Sequence, residues 1–286
     1  MLAEEERAGL ERLAVELAVE AGRLVLHERP ARVGVHRTKS SDLDVVTVMD
    51  TRSEDLLRSR LSRARPDDAV LGEEGGGIAG TSGLTWVLDP IDGTVNYLYD
   101  LPAYAVSVAV VVGDPTAPGA WAPVAGAVAS PRTREVFHAR AGGGARLSLL
   151  DADGALVASA PAALAVTDVD DLGQCLVATG FAYDRGVRRG QAAVVADLLP
   201  RVRDVRRLGA AALDLCHVAA GRVDAYYEQG VQPWDYAAGV LLVTEAGGEV
   251  SGLLAGSPPS GEMVLAAGPA AHLAVRAELE RLAPAR

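Results

Sequence analysis

The segment Asp89-Pro90-Ile91-Asp92-Gly93-Thr94 is the most informative part of the chain for chemistry. Two carboxylates stand three residues apart around a proline, so a tight turn can aim both at one point, as a hard, oxygen-ligated cation requires. If a helix opens at Gly93 or Thr94, its first N–H groups would face an anion lying beside that cation. Asp-Pro and Asp-Gly also simply favour turns, so the segment alone leaves both readings open. Asp50, Glu73 and Asp235 shift the balance, because each is an acid at an expected strand or helix boundary. Five carboxylates gathered without cations would repel and raise one another's pKa values, and bound divalent metal removes the conflict.

Such a site suits a phosphate monoester. The ester's negative charge must be neutralised, a water made nucleophilic and an alkoxide leaving group stabilised, and metal ions can do all three without a phosphoenzyme.

The elements that must hold these acids are read from periodicity. Leu10, Leu13, Ala14, Leu17, Ala18, Ala21, Leu24 and Val25 fall at helical spacing, which predicts a first helix that stops near Pro30. Residues 44–49 predict a short strand, and Thr51 with Glu54 has the spacing of a capping box opening the next helix. A brief strand at Val70 and Leu71 leaves Glu73 at its exit, within a flexible glycine-rich loop over residues 72–77. Residues 85–88 predict a buried strand ended by Asp89-Pro90, since proline cannot donate the next ladder bond.

Residues 104–112, 124–130 and 135–139 predict a run of paired strands, with Gly113-Asp114-Pro115 as the first turn. The glycines at 142–144 lack the Lys-Ser/Thr ending of a phosphate loop and read as a plain turn. Beyond about residue 160 short strands alternate with helices, at 175–179, 191–199, 210–220, 225–228 and 236–246, followed by a strand at 263–267 and a helix at 270–282. That alternation predicts an α/β half. The expected organisation is one compact unit of two halves, residues 1–155 and 156–286.

Composition sets limits. A formal net charge of −11 argues against a nucleic-acid surface, which relies on clustered Lys and Arg. Hydrophobic residues make up 49% but aromatics only 4%, so the interior must be built from Ala, Val and Leu. The acidic start of the chain is unlike a secretory signal, which gives cytoplasmic localisation as the expectation. The apolar run at 103–112 falls far short of the roughly 20 residues of a membrane span. Cys175 and Cys216 read as buried thiols, because Cys216-His217 has no partner pair at zinc-ligand spacing.

Asp89-Pro90-Ile91-Asp92-Gly93-Thr94 is similar to the first signature of the inositol monophosphatase family, and Trp234-Asp235-Tyr236-Ala237-Ala238-Gly239 resembles its second. Lys39, residues 44–50 and Gly72-Glu73-Glu74 resemble the family's upstream elements in order, and residues 214–221 and 224–228 its approach to the second signature. The resemblance implies a five-layered α-β-α-β-α sandwich with the site between its halves, a homodimer, and a lithium-sensitive phosphatase using two or three Mg²⁺ ions. It implies that Glu73, Asp89 and the Ile91 carbonyl hold the first ion, that Asp89, Asp92 and Asp235 hold the second, and that Glu73 shares in a third. Thr94 and Asp50 would orient and activate the water, with Glu73 beside them as a further catalytic acid. The Gly93 and Thr94 amides would grip phosphate, while Asp92, Glu228 and the backbone near Ala211 would meet the substrate.

The implied reaction is hydrolysis of inositol 1-phosphate. Histidinol phosphate, fructose 1,6-bisphosphate, nucleotide 3′-phosphates and NADP(H) are alternative esters, and a non-catalytic transcription partner is a reading of a different class. Every metal carboxylate is present, which favours catalysis. Ala210 departs from the pattern, standing where relatives commonly place Ser or Thr. Arg185, Arg188 and Arg189 either reach a second phosphate or cover a solvated helix end, and the surface reading is preferred.

Overall fold

The computed structural model describes residues 2–39 and 44–282, so the outer limits of the two expected halves, residue 1 and residues 283–286, lie outside it. Helix α1 (Glu4–His27) buries Leu10, Ala14, Leu17, Ala18, Ala21 and Val25 along one stripe, and three glutamates in its first turn complement the helix dipole. A small ribbon of β1 (Arg37–Thr38) and β2 (Val45–Val46) leads into α2 (Val48–Ala64). Strands β3 (Ala69–Gly72), β4 (Gly76–Ile78) and β5 (Leu84–Asp92) follow, then the short α3 (Thr94–Leu98). A meander of β6 (Ala105–Gly113), β7 (Trp121–Ser130), β8 (Glu135–Arg140), β9 (Ala145–Leu149) and β10 (Ala162–Ala163) completes a sheet ordered β10-β9-β8-β7-β6-β5-β3-β4.

The second sheet draws on β11 (Leu176–Thr179), α4 (Arg185–Leu198), β12 (Asp204–Arg206), α5 (Ala211–Ala219) and β13 (Ala225–Glu228). It is completed by α6 (Pro233–Glu245), β14 (Glu249–Ser251), β15 (Val264–Ala267) and α7 (Pro269–Leu282), with strand order β12-β11-β13-β15-β14. Helices α1 and α2 cover the outer face of the large sheet, α5 and α6 lie between the sheets, and α4 and α7 cover the outer face of the small one. This is the five-layered α-β-α-β-α sandwich.

Strand periodicity builds the layers directly. Along β6, Val106, Val108 and Val110 join the cluster under α1 and α2, while Ala105, Ala109 and Val111 face α5 and α6. The central layer is tightly apposed because its contacts are small: a Cβ on Gly126 would lie 3.3 Å from Ala238, and one on Gly239 would lie 2.4 Å from the Leu215 side chain. An interior of Ala, Gly and Val lets helices approach both sheets closely, which accounts for the scarcity of aromatics. Cys175 and Cys216 are buried free thiols.

Four boundaries differ from the sequence reading, each for a local reason. Helix α2 opens one turn earlier than expected, with Thr47 as N-cap and a capping box closed by Asp50 rather than by the Thr51–Glu54 pair. Residues 72–77 form the tight turn of the β3–β4 hairpin, not a flexible loop, because Glu54 accepts hydrogen bonds from Glu74 N and Gly75 N, both at 2.7 Å. Strand β5 runs through Pro90 to Asp92, and its register against β6 slips there: Asp89 pairs with Ser107 and Asp92 with Ala105, so one extra residue is accommodated as a bulge. Helix α4 also begins earlier than residue 191, capped by Asp184 Oδ1, which accepts from Val187 N at 2.8 Å. The short edge strands β4, β10, β12 and β14 carry too few residues for alternation to reveal them.

Candidate active site

A cavity of about 400 Å³ opens where β3, β5, α3, α5, α6 and the end of β13 converge. Seven carboxylates line it, those of Asp44, Glu73, Asp89, Asp92, Asp184, Glu228 and Asp235, against two cations, Lys39 and Arg207. Ile91, Gly93, Thr94 and Ala211 lie in the same wall, so every residue expected at the site except Asp50 reaches the cavity, and Asp50 meets it through Thr94.

Glu73 is placed by the β3–β4 hairpin. Buried Glu54 pins the turn and is itself fixed by Arg58 Nε at 2.7 Å. Glycine is required around it, since a Cβ on Gly72 or Gly75 would fall 2.5 or 2.8 Å from Glu54 Oε1. The Glu73 carboxylate accepts from Lys39 Nζ at 2.7 Å, and the same ammonium lies 2.5 Å from Glu74 Oε1. Burial raises the Glu73 pKa and Lys39 opposes the rise.

In a regular strand Asp89 and Asp92, three apart, would point to opposite faces. The bulge at Pro90 turns both into the cavity. Asp89 is 1% exposed, and burial pushes its pKa well up, with the charges of Glu73, Asp92 and Asp235 adding to the rise. Burial also raises Asp92 to about 7, against the N–H of Ala212. Asp235, in the first turn of α6, accepts from Gln232 N at 2.6 Å and remains half-buried. Burial, then Glu73 and Asp92, push its pKa well up. Among the described residues no three acidic side chains stand close enough to hold an ion as they are placed, with Lys39 occupying Glu73.

Thr94 Oγ1 lies 3.0 Å from Asp50 Oδ1 and 3.0 Å from the Ile91 carbonyl. Asp50 Oδ2 accepts from Thr47 N at 2.8 Å and Thr47 Oγ1 at 2.5 Å. Burial raises the Asp50 pKa to about 6 while these donors hold it down. Gly93, at φ 89°, makes the turn into α3, and a Cβ there would lie 2.8 Å from the Ala103 carbonyl.

Helix α5 shows what Ala210 does. As N-cap it has no side chain to satisfy the helix's first N–H groups, and Asp92 takes that role: its two carboxylate oxygens accept from Ala211 N at 3.2 Å and Ala212 N at 2.7 Å. Within the backbone near Ala211 expected to meet substrate, the Ala211 N–H is therefore already donated to Asp92. Glu228, at the end of β13, accepts from Tyr226 Oη at 3.0 Å, and burial raises its pKa to about 7 against Tyr226 and Arg207. Its carboxylate passes over Gly180, where a Cβ would lie 1.9 Å from Oε2. Beneath it, the wholly buried Asp214 has no hydrogen-bond partner on either oxygen among the described residues, and burial pushes its pKa well up.

Arg185, Arg188 and Arg189 do not line the cavity, and Arg188 Nε donates to the Ala182 carbonyl at 2.9 Å, closing the start of α4. Arg207 and Tyr183 do line it and were not singled out from the sequence. In the run Arg206-Arg207, two like residues gave no sign of which faces inward. Arg206 turns back to Asp204 instead.

A model of the inositol monophosphatase family matches residues 6–285. The inositol-1-monophosphatase SuhB of Mycobacterium tuberculosis is 47% identical over 290 residues, covering 96% of this chain and 95% of that protein. The solved structure of Mycobacterium tuberculosis SuhB superposes with a TM-score of 0.77 at 45% identity, covering 96% of this chain and 97% of that one. The Nus factor SuhB of Escherichia coli is 35% identical over 246 residues, 85% of each chain. With sheet order, acidic cavity and near-complete sequence match in agreement, the chain belongs to the inositol monophosphatase family, and that membership supports a phosphatase.

Proposed function

We propose that the protein hydrolyses a single-phosphate ester of a small polyol, inositol 1-phosphate first among them, with Mg²⁺ as cofactor. The carrying observation is the imbalance of seven carboxylates and two cations around one cavity that also holds a clamped threonine hydroxyl. The donor set fits magnesium, being all oxygen, rich in carboxylate and short of positive charge. Glu73, Asp89 and the Ile91 carbonyl would hold one ion and Asp89, Asp92 and Asp235 another, which requires Lys39 to release Glu73. When bound, magnesium would neutralise phosphate, lower the pKa of water and stabilise the leaving alkoxide.

The chain's own groups account for the remainder. The Thr94 hydroxyl can give its proton to Asp50 while its lone pairs accept from a water, which fixes that water's orientation. Asp50, at about 6, is poised near neutrality to take a proton through that hydroxyl. The N–H groups of Gly93 and Thr94 open α3 at the cavity wall and suit a phosphate oxygen. Glu228 lies where the alcohol portion would extend. We further propose that halves 1–155 and 156–286 meet at this site as one unit, and that the protein is a lithium-sensitive homodimer of the cytoplasm without nucleic-acid partners. The described helices include none long and apolar enough to cross a membrane.

The name Nus factor borne by the Escherichia coli relative raises the non-catalytic reading. Retention of every metal carboxylate and of the Thr94–Asp50 pair favours catalysis. Phosphate release from inositol 1-phosphate, histidinol phosphate, fructose 1,6-bisphosphate, a nucleotide 3′-phosphate and NADP, with and without Mg²⁺, tests the proposal. Turnover is expected with Mg²⁺ and fastest on inositol 1-phosphate, and no release from any of the five would refute it.

A further inference from the structure

Of the two cations in the cavity, Lys39 is committed to Glu73 and Glu74. Arg207 is different: among the described residues it has neither an ion pair nor a hydrogen bond, although it lines the same cavity. Its loop is nonetheless fixed. Asn96 Nδ2, two residues beyond Thr94, donates to the Ala103 carbonyl at 2.7 Å and the Leu208 carbonyl at 2.8 Å. Gly209, at φ 87°, allows the guanidinium to fold back over the chain, since a Cβ there would lie 2.2 Å from Arg207 Nη1. Both neighbouring arginines are solvent-exposed, but Arg206 is paired with Asp204 whereas Arg207 lines the cavity.

The cavity wall supplied by residues 181–211 and 228–232 thus carries one guanidinium, Arg207, and two carboxylates, Asp184 and Glu228. The charge of Arg207 is felt at Glu228, where it opposes the upward push of burial. A second phosphate on the alcohol would meet two acids for one cation. An ammonium could pair with Glu228 but would face Arg207. A hydroxyl group conflicts with neither, because it both accepts from a guanidinium and donates to a carboxylate.

We infer that Arg207 is a specificity-determining residue, and that with Glu228 it selects an uncharged, polyhydroxylated alcohol bearing a single phosphate. Arg207 donates to hydroxyl oxygens and Glu228 accepts hydroxyl protons. This rests on the phosphatase reading above and deepens it, and it adds to the site a residue whose task is recognition.

The test is kcat/KM with Mg²⁺ for wild type, Arg207→Ala and Arg207→Lys on inositol 1-phosphate, fructose 1,6-bisphosphate, histidinol phosphate and p-nitrophenyl phosphate. Arg207→Ala is expected to lose roughly 10- to 100-fold more on inositol 1-phosphate than on p-nitrophenyl phosphate, chiefly through KM, as for a lost hydrogen bond from a charged group. Arg207→Lys keeps the charge but not the planar fork, covers the case in which the alanine variant fails to fold, and is expected to lose roughly tenfold on inositol 1-phosphate relative to the nitrophenyl ester. Equal losses on all four esters would overturn the inference while leaving the phosphatase reading intact. A greater loss on fructose 1,6-bisphosphate would also overturn it, by showing that Arg207 reads a second phosphate. Wild-type protein that releases phosphate from none of the four would instead overturn the phosphatase reading and this inference with it.

Discussion

Helices α2 and α6 reach the cavity with the same first turn. In each, the third helical residue is an aspartate whose carboxylate turns back to the N-cap N–H: Thr47 N donates to Asp50 Oδ2 at 2.8 Å, and Gln232 N to Asp235 Oδ2 at 2.6 Å. The surroundings then separate them. Asp50 gains two further donors, Thr47 Oγ1 and Thr94 Oγ1, and is 1% exposed. Asp235 keeps a single hydrogen bond, stays half-buried and is raised by the charges of Glu73 and Asp92 after burial itself. Neutral donors moderate the effect of burial at Asp50, whereas at Asp235 neighbouring negative charges add to it. One local motif thus carries the proposed proton acceptor in one place and a proposed metal ligand in the other, according to what the rest of the fold brings to it.

The most severe way to break that contrast is to remove a charge from the acidic side. Asp89→Asn is expected to bring Mg²⁺-dependent phosphate release to near background, because Asp89 is the carboxylate placed between both proposed ion positions. Asp235→Asn is expected to do the same, whereas Asp50→Asn should slow turnover but leave metal binding in place. Undiminished turnover by Asp89→Asn would end the two-ion proposal.

Next in size is the water-holding side. Thr94→Ala should lower kcat by about 10²- to 10⁴-fold with an unchanged far-UV circular dichroism spectrum, as expected for loss of an orienting or proton-transfer group. If Thr94 and Asp50 act as a unit, the double variant Thr94→Ala/Asp50→Asn loses little more than either single one. Additive losses would separate them. A smaller effect is expected at Glu228: Glu228→Gln should cost about 1.5 to 3 kcal/mol more on inositol 1-phosphate than on p-nitrophenyl phosphate. Matched kcat/KM values on the two esters would measure it.

Stability gives a further measure of the same contrast. Asp50, Asp92 and Glu228 are raised to about 6, about 7 and about 7, from ordinary values of 3.8, 3.8 and 4.5. Between the ordinary and raised values the folded chain keeps protons that the unfolded chain has released, so stability falls as pH rises from about 4 to about 7. Thermal melts in a chelator should show Tm declining across that window. Added Mg²⁺ at about a hundred times its Kd should contribute about 2.7 kcal/mol at pH 8, or about 5 to 10 °C. That shift should persist in full in Asp50→Asn and shrink in Asp235→Asn, which loses a ligand to one of the two proposed ions, and an equal reduction in both would erase the distinction drawn between the two helices.

Much of the architecture was legible in the chain. The 3.6-residue stripe of α1, the alternation along β6 and the meander that follows it are each dictated by which side chains must leave water, and those elements lie where the periodicity put them. The acids were legible as well, because Asp-Pro, Asp-Gly and an acid opening an apolar helix mark boundaries whatever the tertiary context. Local patterns could not say where a boundary would yield to a distant partner. Glu54 has the spacing of a capping acid but is taken by the β3–β4 turn, and the Thr47–Asp50 pair caps α2 in its place. Pro90 should end a strand but passes within a bulge, and only that bulge brings Asp89 and Asp92 to one side. The Ala211 amide is donated to an aspartate 119 residues away, and Arg207 enters the cavity because Asn96 and Gly209 fix its loop. Hydrophobic period and turn chemistry act over a few residues and so can be read from the sequence. Where a carboxylate finds its donors, and which of two adjacent arginines lines the cavity, depends on groups that only folding brings within about 3 Å of one another, at the distance of a hydrogen bond.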